Sequence, residues 1–390
     1  MPRPEKNADP STPASGTPQL PPYQFIHDEN GWQQCLKVLR RAPRIALDLE
    51  SNSLYAYRDS VCLIQISTAG HDFIVDPLAE FSLEELGGIL ADPRTEKVFH
   101  ASEYDLILIK REYGWEAANI FDTMWAARVL GYSRMGLAWF LSECFGVTQP
   151  KRFQKTNWCK RPLSTGQLAY AQTDTHFLLA LRDRLGAELR ERGLWEEARE
   201  IFEEAVHVRA PERCFDPEGF WTIRGARDLT PRQLAILREL FVFRDDEARR
   251  RNAPPFKVLT NQVLLSLAQL QPESVQVLRS VPGMAESLVG RYGRKIVESI
   301  EQARHAPEPK RPRPAERPPE DVSERYDRLL QWRKQLAQQR GVESDVILPR
   351  DTLWHIARRP PQCLDDFARD QLMGPKRIEM YAEDILEQLD

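Results

Sequence analysis

A chain of 390 residues, 42% of them hydrophobic, is too long for one small domain and apolar enough to build real cores, which excludes wholesale disorder. Its formal net charge of −4 gives no global attraction to nucleic acid, so any such attraction must come from local patches. No apolar run approaches the ~18 residues a membrane span needs, and the N-terminus lacks the apolar core of a signal peptide, so a cytoplasmic protein with no membrane partner is expected.

Up to about Pro22 the chain is rich in proline and small polar residues, and residues 1–22 are expected to form a disordered tail. From Tyr23 the pattern becomes globular. Helical spacing of Trp32, Cys35, Leu36 and Leu39 leads into a strand at Arg44–Glu50. Two more strands, Val61–Ile66 and Asp72–Val75, follow at short connections that predict an antiparallel meander. Strands at Val98–His100 and Ile120–Phe121 alternate with helices, the pattern of an α/β domain. Ser164 and Gln167 have capping-box spacing, and the apolar stripe after them predicts one long helix ending near Gly193. The six cysteines (35, 62, 144, 159, 214 and 363) form no C-x-x-C pair and have no His at zinc spacing, so a reduced protein is expected.

Beyond Asp216-Pro217 the strand signal nearly vanishes. Two helical blocks are joined by a Pro/Arg-rich linker, and they read as one module used twice. An ungapped shift of 89 positions pairs Leu240 with Leu329, Arg244 with Arg333, Leu259 with Leu348, Pro272 with Pro361 and Tyr292 with Tyr381. Only the first copy keeps a Pro-Gly turn, at Val281-Pro282-Gly283. The domain plan is therefore 1–22 tail, 23–209 α/β domain, 210–304 first helical domain, 305–319 linker and 320–390 second helical domain.

Chemistry enters at Arg44–Glu50. Alternation sends Ile45, Leu47 and Leu49 to one face and Ala46, Asp48 and Glu50 to the other. Two acids on one face of an apolar strand repel unless a cation neutralises them, and a divalent ion with oxygen ligands does so best. Asp105 and Glu103 follow the strand ending at His100; taken alone, each is better read as complementing a helix dipole. Tyr170 and Asp174 share one helix face, though a core Tyr and a solvated Asp would look the same. Asp122, beside Thr123, suits a capping role.

As an ordered set, Asp48-x-Glu50, His100 through Asp105, and Tyr170-x-x-x-Asp174 resemble the three exonuclease motifs of the DEDD family, tyrosine subclass. Cys62-Leu63-Ile64-Gln65-Ile66 and Asn157-Trp158-Cys159-Lys160-Arg161-Pro162-Leu163-Ser164 resemble ribonuclease D, and the paired modules resemble HRDC domains at Pro254–Leu259 and Arg291-Tyr292-Gly293. The resemblance implies an α/β exonuclease domain, a ribonuclease H-like mixed sheet flanked by helices, followed by two all-α HRDC-type domains. It further implies two-metal hydrolysis from an RNA 3′ end that releases nucleoside 5′-monophosphates, with transfer RNA 3′ maturation the expected role.

On that resemblance Asp48, Glu50 and Asp174 hold one ion, Asp48 bridges to a second held by Asp105, and Tyr170 hydrogen-bonds the attacking water. Mg²⁺ or Mn²⁺ suits such an all-carboxylate site. Expected substrate contacts are His100, the cluster at Lys151 and Arg152, Arg161 beside the site, and Arg249, Arg250, Arg251 and Lys257 on the first module. From Thr230 to Gln302 there are 11 basic and 8 acidic residues, and from Arg325 to Asp390 there are 11 and 12. The first module is therefore expected to hold RNA, and the second to hold it weakly or mainly to pack. The expected partner is a precursor transfer RNA with an accessible single-stranded 3′ end, bound by a monomer. Competing readings are a DNA 3′ exonuclease and an RNA-binding scaffold without activity.

Overall fold

A computed structural model of the protein describes residues 20–207, 214–312 and 317–389. The tail expected over 1–22 therefore lies, for residues 1–19, outside the described residues, as do 313–316 of the linker. Two compact units are present, one built from residues 20–50, 61–207 and 317–389, the other from 51–60 and 214–312.

The first unit is organised on a six-stranded mixed sheet in the order β1-β4-β3-β2-β5-β6, with β1 Gln24–Ile26, β2 Arg44–Ser51, β3 Val61–Ser67, β4 Asp72–Val75, β5 Glu96–Phe99 and β6 Ile120–Asp122. As the short connections predicted, β2, β3 and β4 are neighbours in chain order, and β3 runs antiparallel to β4. The three-residue β1 has no counterpart in the sequence reading, because so short a strand shows no period; it adds parallel to β4. Helices α1 Glu29–Leu39, α2 Glu84–Ala91, α3 Glu103–Tyr113, α4 Thr123–Val129, α5 Leu137–Phe145, α6 Thr165–His176, α7 Leu178–Glu191 and α8 Trp195–Val206 complete the α/β part. The helix expected from Ser164 to Gly193 is thus two: it stops and restarts at Phe177, where no Gly or Pro marks a break. Its start is as read, with Ser164 and Gln167 forming a reciprocal capping box.

On β2 the alternation does what the sequence dictates. Ile45, Leu47 and Leu49 pack with Trp32, Leu36 and Leu39, while Ala46 joins Phe121 and Leu181 on the other face. Each such aliphatic chain contributes about 1.5–3 kcal/mol on burial, which fixes the register and leaves Asp48 and Glu50 half-buried on the Ala46 face. The parallel pairing with β5 reaches only Ala46↔Val98, so both acids lie beyond it toward the C-terminal end of β2.

One expectation about cysteines is overturned. Cys62 on β3 and Cys159 form a disulfide with Cα atoms 4.8 Å apart, across 97 residues of sequence. The fold brings them together, and no sequence spacing could have shown it. Cys35, Cys144, Cys214 and Cys363 take part in no disulfide among the described residues.

The second unit consists of α9 Pro231–Arg250, α10 Pro255–Val258, α11 Asn261–Leu270, α12 Val275–Leu278 and α13 Glu286–His305 around one apolar core. Residues 51–60, the loop after β2, pack here: the Tyr57 hydroxyl donates to Asp245 at 2.7 Å, and Lys257 lies 3.9 Å over the Tyr55 ring. The second helical module, α14 Glu320–Arg340, α15 Ser344–Ile347, α16 Arg350–Arg358, α17 Leu364–Arg369 and α18 Pro375–Leu389, belongs to the first unit. It docks on α8. Glu197, 1% exposed, accepts two 2.7 Å bonds from Arg340 and one of 2.8 Å from the Tyr381 hydroxyl. Arg377, equally buried, bonds Glu200 and Glu204. Gly374 is required there, since a Cβ would fall 2.2 Å from the Glu200 carboxyl carbon. Among the described residues no helix is long and apolar enough to cross a membrane.

Candidate active site

Three elements bring the acids together. β2 carries Asp48 and Glu50, α6 carries Tyr170 and Asp174 one turn apart, and α3 carries Asp105 in its first turn. Asp48, Glu50 and Asp174 each offer a carboxylate oxygen within 4.8 Å of the other two. Asp105 stands outside that trio but within electrostatic reach of Asp48 and Glu50. The start of α3 is fixed by Asp122, which accepts the backbone N–H groups of Ala101 and Ser102 at 3.1 and 2.7 Å. It also caps α4 through Met124 and Trp125, so the capping role read for it is the observed one. Ala101 sits at φ +64, a left-handed conformation that costs a non-glycine residue about 1 kcal/mol or more and that these bonds hold in place.

The electrostatics are those of a cluster short of positive charge. Burial, only partly offset by the Leu49 amide, pushes the Asp48 carboxyl up to about 7. Burial and then Asp48, Asp174 and Asp105 push Glu50 up to about 10. Asp174 and Asp105 are likewise raised by burial first and by Asp48 second. A divalent cation relieves this strain, and hard oxygen donors are the set it prefers. The residues present therefore fit the metal dependence of the exonuclease family. Tyr170 packs beside Phe153 and Trp158, with ring centroids 5.8 and 5.9 Å away. Burial and the neighbouring acids raise its phenol well above the ordinary value near 10.

Two functional contacts had escaped the sequence reading. Gln149 Nε2 donates to Asp174 Oδ1 at 2.6 Å, and the Gln154 side chain hydrogen-bonds Tyr170. Both lie in the segment between α5 and α6, where their only signal is closeness to the basic cluster. Gly166 lets that segment approach α6, since a Cβ would lie 2.8 Å from the Phe153 ring.

The expected substrate contacts fare unevenly. Lys151 and Arg152 are exposed, with Arg152 lying 4.8 Å over Phe153. His100 is half-buried, its Nδ1 2.9 Å from Thr123 Oγ1 and its ring edge-on to Phe140. Arg161 requires a correction. It forks onto Asp76 with two 2.6 Å bonds and donates to the carbonyls of Trp158, Lys160 and Cys62. All five of its N–H groups are thereby spent inside the protein, so it braces the approach to α6 instead of reaching for substrate. Arg249 and Arg250 are salt-bridged to Asp245 and Glu247.

This fold and this carboxylate cluster are those of 3′-5′ exonucleases: residues 23–190 match the family described as 3′-5′ exonuclease, and residues 233–300 and 323–389 each match the HRDC domain. The chain is 30% identical to ribonuclease D of Pseudomonas paraeruginosa over 339 residues, 85% of this chain and 89% of that one. The crystal structure of Escherichia coli RNase D, described as an exoribonuclease involved in structured RNA processing, superposes with a TM-score of 0.64 at 26% identity, covering 94% of this chain and 98% of the other. An exosome complex component 10 homolog from Caenorhabditis elegans is 34% identical over 267 residues, 65% of this chain but 30% of that protein. The chain spans about a third of the length of the exosome-component relatives it matches. It belongs to the ribonuclease D family.

Proposed function

We propose that the protein is a metal-dependent 3′→5′ exoribonuclease that hydrolyses phosphodiester bonds from RNA 3′ ends and releases nucleoside 5′-monophosphates. The observation that carries this is the carboxylate set on β2 and α6, three oxygens within 4.8 Å of one another, with Tyr170 one helical turn from Asp174. Asp48, Glu50 and Asp174, with Asp105 beside them, would hold divalent metal, Mg²⁺ or Mn²⁺. Bound there, it would supply charge neutralisation to the phosphodiester under attack and acidify a water. Tyr170, fixed by Gln154 and by the rings of Phe153 and Trp158, orients that water through its hydroxyl. A phenol's ordinary value near 10 makes it a hydrogen-bonding partner more than a base near neutral pH. Gln149 holds one oxygen of Asp174 and so fixes the orientation of that carboxylate within the cluster. Lys151, Arg152 and His100 flank the path of a single strand, and the substrate is a precursor transfer RNA 3′ end, taken by a monomer.

The test is a timed digestion of end-labelled RNA with a 3′ extension, alongside a matched DNA, in Mg²⁺, Mn²⁺ or chelator. Stepwise shortening of RNA from its 3′ end with mononucleotide release is expected. Preference for the DNA replaces the substrate, since the 2′-hydroxyl is the difference being read. Absence of any release leaves a binding scaffold. Asp48→Asn should lower turnover by several orders of magnitude; more than about a tenth of wild-type turnover, a loss of only ~1.4 kcal/mol, refutes the assignment.

A further inference from the structure

The 89-residue repeat extends from sequence to individual hydrogen bonds. Arg333 donates to the Leu348 carbonyl as Arg244 donates to that of Leu259, and Arg340 bonds the Tyr381 hydroxyl as Arg251 bonds that of Tyr292. In the second module this Arg–Tyr pair has an occupant: the Glu197 carboxylate takes both terminal nitrogens of Arg340 and the Tyr381 hydroxyl. In the first module it has none. Among the described residues no carboxylate lies within bonding distance of Arg251, whose side chain is exposed above the buried Tyr292.

The surroundings have also changed sign between the copies. Where α18 carries Met380, Glu383 and Asp384, α13 carries Arg291, Arg294 and Lys295, all exposed. Where α14 ends in Gln338-Gln339-Arg340, α9 runs into Arg249-Arg250-Arg251. Glu247, one helical turn before Arg251, is already held by Arg250 and Lys295.

We propose that the Arg251–Tyr292 pair is an anion site that takes a backbone phosphate of the RNA, an assignment that rests on the exoribonuclease reading. The second module shows that this pair grips a two-oxygen anion, and a phosphodiester presents the same two acceptors. The basic frame of α13 favours a repeating polyanion over a lone carboxylate, whereas the matching α18 positions of the second module are Met380, Glu383 and Asp384.

The experiment uses the full chain in chelator, with a labelled single-stranded RNA followed by anisotropy across a KCl series. Arg251→Gln should weaken binding about tenfold and flatten the salt slope by about 0.7, the share of one phosphate contact on a single strand. Arg250→Gln should change affinity twofold or less, because Glu247 already meets that charge. Equal losses in the two variants would reduce Arg251 to one charge in a diffuse patch and overturn the site. So would an unchanged Arg251→Gln, or polyglutamate displacing RNA at equal charge concentration. Should Arg251→Gln melt early, Tyr292→Phe keeps the charge and removes only the hydroxyl; about threefold weaker binding supports the site, and wild-type affinity refutes it. A wild-type chain that never shortens the RNA it binds when Mn²⁺ is supplied fails the enzyme reading; one that does, with Arg251→Gln binding unaffected, fails this site alone.

Discussion

Replacing Asp48 by Asn should destroy activity and at the same time make the metal-free protein more stable. Asp48, Glu50 and Asp174 place oxygens within 4.8 Å of one another. At that separation each ionised pair repels by about 0.9 kcal/mol at the dielectric constant of water and about 3.5 kcal/mol at an effective value of 20. Burial raises the Asp48 carboxyl to about 7, so the metal-free site meets the repulsion by keeping protons. A carboxyl raised on folding holds a proton that the unfolded chain has already released. Stability therefore falls as pH rises from the unfolded value near 4 to the folded value near 7, and stays reduced above it. Asparagine has no such slope. In chelator, the Asp48→Asn chain and the wild type should melt together near pH 4, and at pH 8 the variant should melt higher by roughly 2–14 °C, taking about 2–4 °C per kcal/mol. Saturating Mn²⁺ should reverse the order, since an ion at a hundred times its dissociation constant adds about 2.7 kcal/mol to the chain that binds it. Differential scanning fluorimetry reads both arms. A variant that melts lower than wild type in chelator at pH 8, or that gains as much from Mn²⁺, would refute the view of these acids as a poised cation site.

Glu197→Gln leaves Arg340 buried without its counter-charge and should destabilise the first unit by about 3–5 kcal/mol, with faster hydrogen exchange in α14 and α18; unchanged exchange would mean the ion pair does not hold the module. Thiol titration of the unfolded, unreduced protein should find four reactive cysteines of the six, and Cys159→Ser should lower stability by about 2–4 kcal/mol; six thiols would exclude the disulfide. Arg161→Lys keeps the charge but loses the fork onto Asp76, so its urea midpoint should fall well below wild type, whereas a midpoint within error of wild type would return Arg161 to the list of substrate contacts.

What was legible in the sequence was what period and composition encode. The apolar alternation of β2, the Ser164–Gln167 cap and the 89-residue repeat each stand on spacing between near neighbours or on identity at a fixed offset, and each has its counterpart in the structure. What stayed hidden depends on approach between distant segments. Cys62 meets Cys159 only after β3 and the strap before α6 are packed, and Gln149 finds Asp174 by the same packing. Arg161 misled for a related reason: an arginine near a nuclease motif looks like a phosphate ligand until Asp76 is seen beneath it. The helical modules carry the same lesson further. Their net charges distinguished a basic copy from a neutral one, yet charge alone could not say why one arginine, Arg340, had stopped being available. Its partner Glu197 lies 143 residues away on α8, and that ion pair turns the second module into part of the catalytic unit's own packing. Cutting the chain after Pro319 would therefore strip buried groups from α8 as well as remove a module. Single substitutions at Arg251 and Glu197 separate RNA binding from packing where such a truncation would merge them.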